Sequence, residues 1–267
     1  AIVKSMQDVS NGIKVSVEDS IIADTFNRQI RPAYLISLGK IWPLSRTLGS
    51  AIGIVLTAYF SLAFGFYVAA FSVFVAFLIF SLFFKEKKKT RIRSVKFNPI
   101  KYSKRFKFIA ATAFMLSFVF SMTYAPAFFI LAERYLHISA STIFFLLMVS
   151  SLSAGLAIHS VEKRIKNFGR KDILFITSIL IAIFTFGYAV ASELILLGAS
   201  LIVVSVAFHF WHISFRTLYM DIAYVKSRGE QIGFVKTMHG LGDIAGPVLG
   251  GFLIDFYSIQ APFVLGG

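Results

Sequence analysis

From Leu62 to Phe84 the chain carries no charged side chain and nothing more polar than Ser72, Ser81 and Tyr67. A helix that is apolar all round has no face for water and suits lipid on every side. Seven more segments read as helices of membrane-crossing length: Ile2–Ala23, about Tyr34–Phe60, Phe108–Leu131, Ile138–His159, Ile173–Ala191, about Leu194–Ile222 and Ile232–Phe256. Charged residues make up 15% of the chain, against about 25% in soluble domains. The expected fold class is therefore all-α: a polytopic membrane protein with about eight transmembrane helices.

The net charge of +14 sits in the connections between these segments. The connections around Arg28 and Arg31, from Lys85 to Lys107, from Glu162 to Lys171, and at Lys226 and Arg228 are basic, while the intervening turns hold few Lys or Arg. The positive-inside rule places the basic connections in the cytoplasm. Loop charge of this kind accounts for the basic balance without nucleic acid, and the 85–107 stretch suits lipid headgroups. A plasma-membrane, multi-pass, monomeric protein is expected. The absence of cysteine excludes disulfides and thiolate metal sites. The chain begins without Met inside a helical pattern and stops soon after a new apolar stretch starts, so it is expected to be truncated at both ends.

An internal repeat organises the rest. Asp24 and Arg31 flank the connection before the second segment; Asp221 and Arg228 flank the one before the eighth. The offset is 221 − 24 = 228 − 31 = 197, and it also carries Gly49 onto Gly246, Gly53 onto Gly250 and Ser45 onto Gly242. Two pseudo-symmetric halves follow: residues 1–84 with three helices, and 108–267 with five helices and the start of another, joined by the basic stretch 85–107. Parallel repeats of this kind build transporters. In the second copy Gly242, Gly246 and Gly250 recur every four residues, with Pro247 among them. That spacing leaves a groove where another helix can approach backbone to backbone. The groove is expected to be the surface on which the halves slide.

The repeat, the central basic loop, Asn167-Phe-Gly-Arg-Lys171 and Gly242-x3-Gly246-Pro247-x2-Gly250-Gly251 resemble the major facilitator superfamily. The resemblance implies an MFS-like bundle in which these segments are helices four to eleven of twelve. It implies a secondary transporter of a small solute by alternating access, with gating or packing roles for Gly169, Arg170, Asp24, Arg31, Asp221 and Arg228. The first copy, Leu48–Gly53, lacks the Pro that marks antiporters in that helix. Proton coupling, an uncoupled facilitator, a drug-type exporter and a non-transporting scaffold or receptor remain open. No nucleophile–base pair or phosphate loop points to an enzyme, and no cofactor is implied.

Ionisable groups at membrane depth are costly and usually functional. Lys4, Gln7, Asp8, Asn11, Lys14, Glu18 and Asp19 share about 140° of arc on the first segment at ~100° per residue. A surface amphipathic helix is the alternative to a cavity lining there. On the seventh segment Ser205, His209, His212, Arg216 and Tyr219 share about 80°. The candidates for solute and proton handling are therefore Asp8, Asn11, Glu18, Asp19, His209, His212, Arg216 and Tyr219. The two histidines alternatively form a hydrogen-bonded pair holding helices together. Two nitrogens without further ligands make a poor metal site. The offset places Arg216 on Asp19, so the two are expected to pair across the cavity. It also places Asp243 on Arg46, a possible gate salt bridge. Tyr124 and Pro126 mark a possible bend.

Overall fold

The computed structural model describes residues 18–27, 30–60, 62–83, 102–124, 126–161, 169–224 and 227–267. The described residues form ten helices and no strand. They are α1 (residues 18–25), α2 (Arg31–Tyr59), α3 (Leu62–Phe83), α4 (Lys104–Thr123), α5 (Pro126–Ile130), α6 (Ala140–Val161), α7 (Arg170–Ala189), α8 (Leu194–Ile222), α9 (Arg228–Phe256) and α10 (Ala261–Gly266), with a π-helical turn at Leu131–Tyr135. Asp8 and Asn11 lie outside the described residues.

Among the described residues five helical stretches are long and apolar enough to cross a membrane: α2, α4 continuing to Tyr135, α6, α7 and α8. α3 is apolar but counts as a shorter helix over Ala63–Ile79. Its Phe66, Phe71 and Leu82 are exposed, as a lipid-facing helix requires. α9 spans 29 residues, but Glu230, Lys236, Asp243 and its glycines lower its apolar character. The fourth segment is not one rod. α4 ends at Thr123, α5 starts at Pro126, and a π turn follows, because Pro cannot donate to the preceding helix ladder.

The repeat extends to helix ends. α2 and α9 begin 228 − 31 = 197 residues apart and end 256 − 59 = 197 apart; α1 and α8 end 222 − 25 = 197 apart. The two copies nevertheless pack differently. α9 lies along α4, while α2 lies along α6 and touches α8. α2 meets α6 through Thr57 and Ser141, whose hydroxyls are 3.1 Å apart, and through Gly53 beneath the Phe144 ring. Since α2 and α6 fall in different sequence halves, this is the seam between them.

The glycine groove behaves otherwise. A Cβ on Gly242 would stand 2.5 Å from the Phe114 carbonyl oxygen, on Gly246 2.4 Å from that of Phe118, and on Gly250 2.7 Å from that of Met122. All three partners lie in α4, within the same half. The expectation of a sliding surface between halves is therefore corrected: the glycines fuse α9 to α4 by backbone contact.

Two apolar clusters fill the bundle. One, towards the basic connections, contains Leu35, Phe106, Trp211, Phe215 and Ile232. The other, towards the opposite end, contains Phe128, Leu131, Leu147, Tyr188 and Leu201.

Candidate functional site

The charged side chains gather where α1 ends and α2, α8 and α9 meet. Asp19 of α1 is fully buried. Its Oδ1 accepts from Arg216 Nε at 2.5 Å, its Oδ2 accepts from the Tyr219 hydroxyl, and Lys236 Nζ lies 3.5 Å from Oδ2. Arg216 Nη2 contacts both Asp19 Oδ1 and Glu18 Oε1, the latter at 2.9 Å. Two acids from the first half thus hold two bases from the second. In a region closed to water, such charges stay only if each is paired.

One turn nearer the basic connections, the Asp and Arg of each repeat copy cross to the other copy. Arg228 Nη1 donates to Asp24 Oδ1 at 2.7 Å, and Arg31 Nη1 donates to Asp221 Oδ1 at 2.6 Å. Arg170 reaches the other Asp221 oxygen. Arg31 Nη2 donates to the Ala23 and Phe26 carbonyls at 2.9 and 3.0 Å, and Arg228 Nη1 donates to the Ala23 carbonyl at 2.6 Å. Helix C-termini leave carbonyls unpaired and carry partial negative charge, so both arginines also cap α1.

The two crossings differ in weight. Asp24 is 65% exposed, whereas Arg31 is 3% exposed. Replacing Asp24 by Asn is expected to cost about 0–1 kcal/mol, the range of exposed ion pairs. A melting shift of detergent-solubilised Asp24→Asn larger than that of Asp221→Asn would reverse this ranking.

A latch lies beside the cluster. The Tyr102 hydroxyl, just before α4, donates to Glu230 Oε1 at 2.7 Å. Burial first, and this hydrogen bond second, hold its phenol above the ordinary range.

The stripe on α8 divides by depth. Arg216 and Tyr219 join the Asp19 cluster. His209 and His212 do not, and no hydrogen bond joins them to each other. His209 Nδ1 pairs with the Ser205 carbonyl in its own helix at 2.6 Å, and His212 stacks on Phe208. Gly169 caps α7 and brings Arg170 to Asp221. Pro247 sits inside α9 among its glycines.

Arg46 and Asp243 do not pair with each other, contrary to the offset. Arg46 donates to the Tyr124 hydroxyl. Asp243 Oδ1 accepts from Ser117 and Ser121, and its Oδ2 lies 3.1 Å from His239 Nδ1. Each sits on a helix with a different neighbour, so equivalence in sequence does not become contact.

Lys236 and His239 are absent from the sequence candidates, and Arg46 and Asp243 enter them only as a pair that the structure does not form. The signal for Lys236 and His239 is an ionisable residue inside an apolar run, the rule that picked out the α8 stripe.

These features define a polytopic helical membrane protein whose two repeat-related halves are tied by ion pairs at one end. The chain belongs to the Major Facilitator Superfamily, whose family model matches residues 6–242. A crystal structure of the human organic anion transporter MFSD10 (TETRAN) is similar, with a TM-score of 0.73 over 94% of this chain and 18% sequence identity. At that identity the likeness shows the fold alone. This chain spans 65% of that protein's length. No curated protein sequence matches.

Proposed function

We propose that the protein is a secondary transporter that moves a small solute across the plasma membrane by alternating access. The observation that carries this reading is the reciprocal crossing of Asp24 to Arg228 and Arg31 to Asp221, with Asp19 holding Arg216 and Lys236. Ion pairs between halves at one end, and a seam of small contacts along α2 and α6, suit a gate that closes on the cytoplasmic side and reopens. Pairs of charges exchange partners for water when the halves separate, so the closed and open states differ by modest free energy.

Proton coupling is the favoured form because Asp19 is a carboxylate on which three groups of the other half converge. Protonating it removes the charge that holds Arg216, Lys236 and Tyr219, and so links a proton to the gate. The test is uptake of a panel of solutes into proteoliposomes, with and without a pH gradient. A moved solute is expected to accumulate with the gradient and to equilibrate only when an ionophore collapses it. Equilibration without accumulation in both arms identifies an uncoupled facilitator. No uptake of any solute returns the protein to the scaffold or receptor reading.

A further inference from the structure

Arg46 is a cation at membrane depth whose charge no described side chain neutralises. Arg216 and Lys236 each face carboxylates of α1. Among the described residues Arg46 makes one hydrogen bond, to the Tyr124 hydroxyl, and no carboxylate lies within ion-pair distance of it. A guanidinium carries five N–H donors, so most of its hydrogen-bonding capacity is unspent. An unpaired charge in a bilayer is costly, and such groups take a partner wherever one exists.

The surroundings describe that partner. The guanidinium carbon lies 5.0 Å from the Tyr124 ring centroid and 6.0 Å from that of Trp42, so two aromatic faces flank it. Trp42 is half exposed and lies 5.1 Å from the His209 ring. Phe120 stacks on Tyr124 at 4.8 Å and on Phe208 at 4.1 Å, which extends the flat wall across α4 and α8. Two buried polar atoms beside this wall have no partner among the described residues: His209 Nε2 and the Tyr188 hydroxyl. A small cavity between α4, α7 and α8 is walled by Phe120, Tyr124, Thr185 and Tyr188. His209 is 5% exposed and Tyr188 1%. Native proteins seldom bury polar atoms unmatched, and a site that awaits a ligand is one reason for it.

We propose that Arg46, with Trp42, Tyr124, His209 and Tyr188, binds a flat organic carboxylate. The carboxylate bonds the free N–H groups of Arg46, bidentately where it meets the guanidinium fork. Its aromatic body lies along Trp42 and the Phe120–Phe208 wall. His209 Nε2 and the Tyr188 hydroxyl supply the remaining polar contacts. A neutral solute leaves the charge unmatched, and a small inorganic anion leaves the aromatic wall unused. The assignment rests on the transporter reading and names the solute class for it.

The experiment uses the full-length protein in liposomes and radiolabelled 1-naphthoate as probe, with binding and uptake measured separately. Wild type is expected to bind it, 1-naphthalenemethanol to compete poorly, and Arg46→Gln to weaken binding by at least about tenfold. Arg46→Lys is expected to keep part of the affinity, since it keeps the charge and loses the fork. If Arg46→Gln is recovered unfolded, Trp42→Leu serves as the second variant, with an expected loss of a few-fold. Unchanged binding in Arg46→Gln, or in Trp42→Leu where that variant replaces it, overturns the assignment. So does equal competition by the neutral alcohol, equal competition by chloride or phosphate, or no binding by wild type. Binding without uptake leaves the site standing and removes the transporter reading. Uptake of a neutral solute that Arg46→Gln leaves unchanged does the reverse.

Discussion

Asp19→Asn is expected to open the end of the bundle that carries the basic connections. The substitution keeps the side chain's volume and removes its charge, which leaves Arg216 and Lys236 facing Glu18 alone. Glu18 is 40% exposed and so is a weaker partner than the fully buried Asp19. Removing one member of a buried ion pair costs about 3–5 kcal/mol. A loss of 1.4 kcal/mol changes an equilibrium about tenfold, so even half of that cost shifts the closed state measurably. The chain has no cysteine, so a single reporter is unambiguous. Ala223→Cys places one at the end of α8, where the native side chain is 4% exposed. Maleimide labelling at that position is expected to rise at least about tenfold in Asp19→Asn. It is expected to fall back when the charges are exchanged as Asp19→Arg with Arg216→Asp. Labelling that stays at the parent rate in Asp19→Asn would remove the cluster from the gate.

The largest loss of stability is expected at Gly246. Alanine there improves helix propensity by about 1 kcal/mol. Its Cβ would stand 2.4 Å from the Phe118 carbonyl oxygen, a backbone atom that cannot rotate away. Separating α9 from α4 would also open the contacts at Gly242 and Gly250. Overpacking of this kind costs about 1–3 kcal/mol for an extra methyl and more for a larger group, so the clash outweighs the propensity. Gly246→Ala is expected to melt lower than wild type in detergent, and Gly246→Leu to be recovered unfolded. Gly251→Ala is the control, because nothing lies within 4 Å of its Cβ position. It is expected to be neutral or slightly stabilising. Should Gly246→Ala and Gly251→Ala melt together, the close approach of the two backbones is wrong.

Much of this arrangement is legible in the sequence because charge and glycine are rare inside membrane helices. The 197-residue offset, found from two Asp–Arg pairs and two glycines, also describes the ends of α2 and α9. The same offset brings Asp19 and Arg216 to equivalent places, and the structure joins them. It says nothing about partners. Gly53 and Gly250 are equivalent in sequence, yet one lies under a Phe ring of α6 and the other on the backbone of α4. Which neighbour a helix takes depends on surfaces that come from elsewhere in the chain. Lys236 escaped notice for a related reason. It lies on a helix otherwise marked by small residues, without the polar stripe that drew attention to α8.

The unequal packing of the two copies has a mechanical consequence. α4 and α9 touch through backbone atoms, which have no rotamers to yield, so they bend and tilt as one beam. α2 rests on α6 through a phenyl ring and two hydroxyls, all of which can turn in place. The duplicated helix is thus a weld in one copy and a bearing in the other, so that sliding α2 along α6 needs only side-chain rotation.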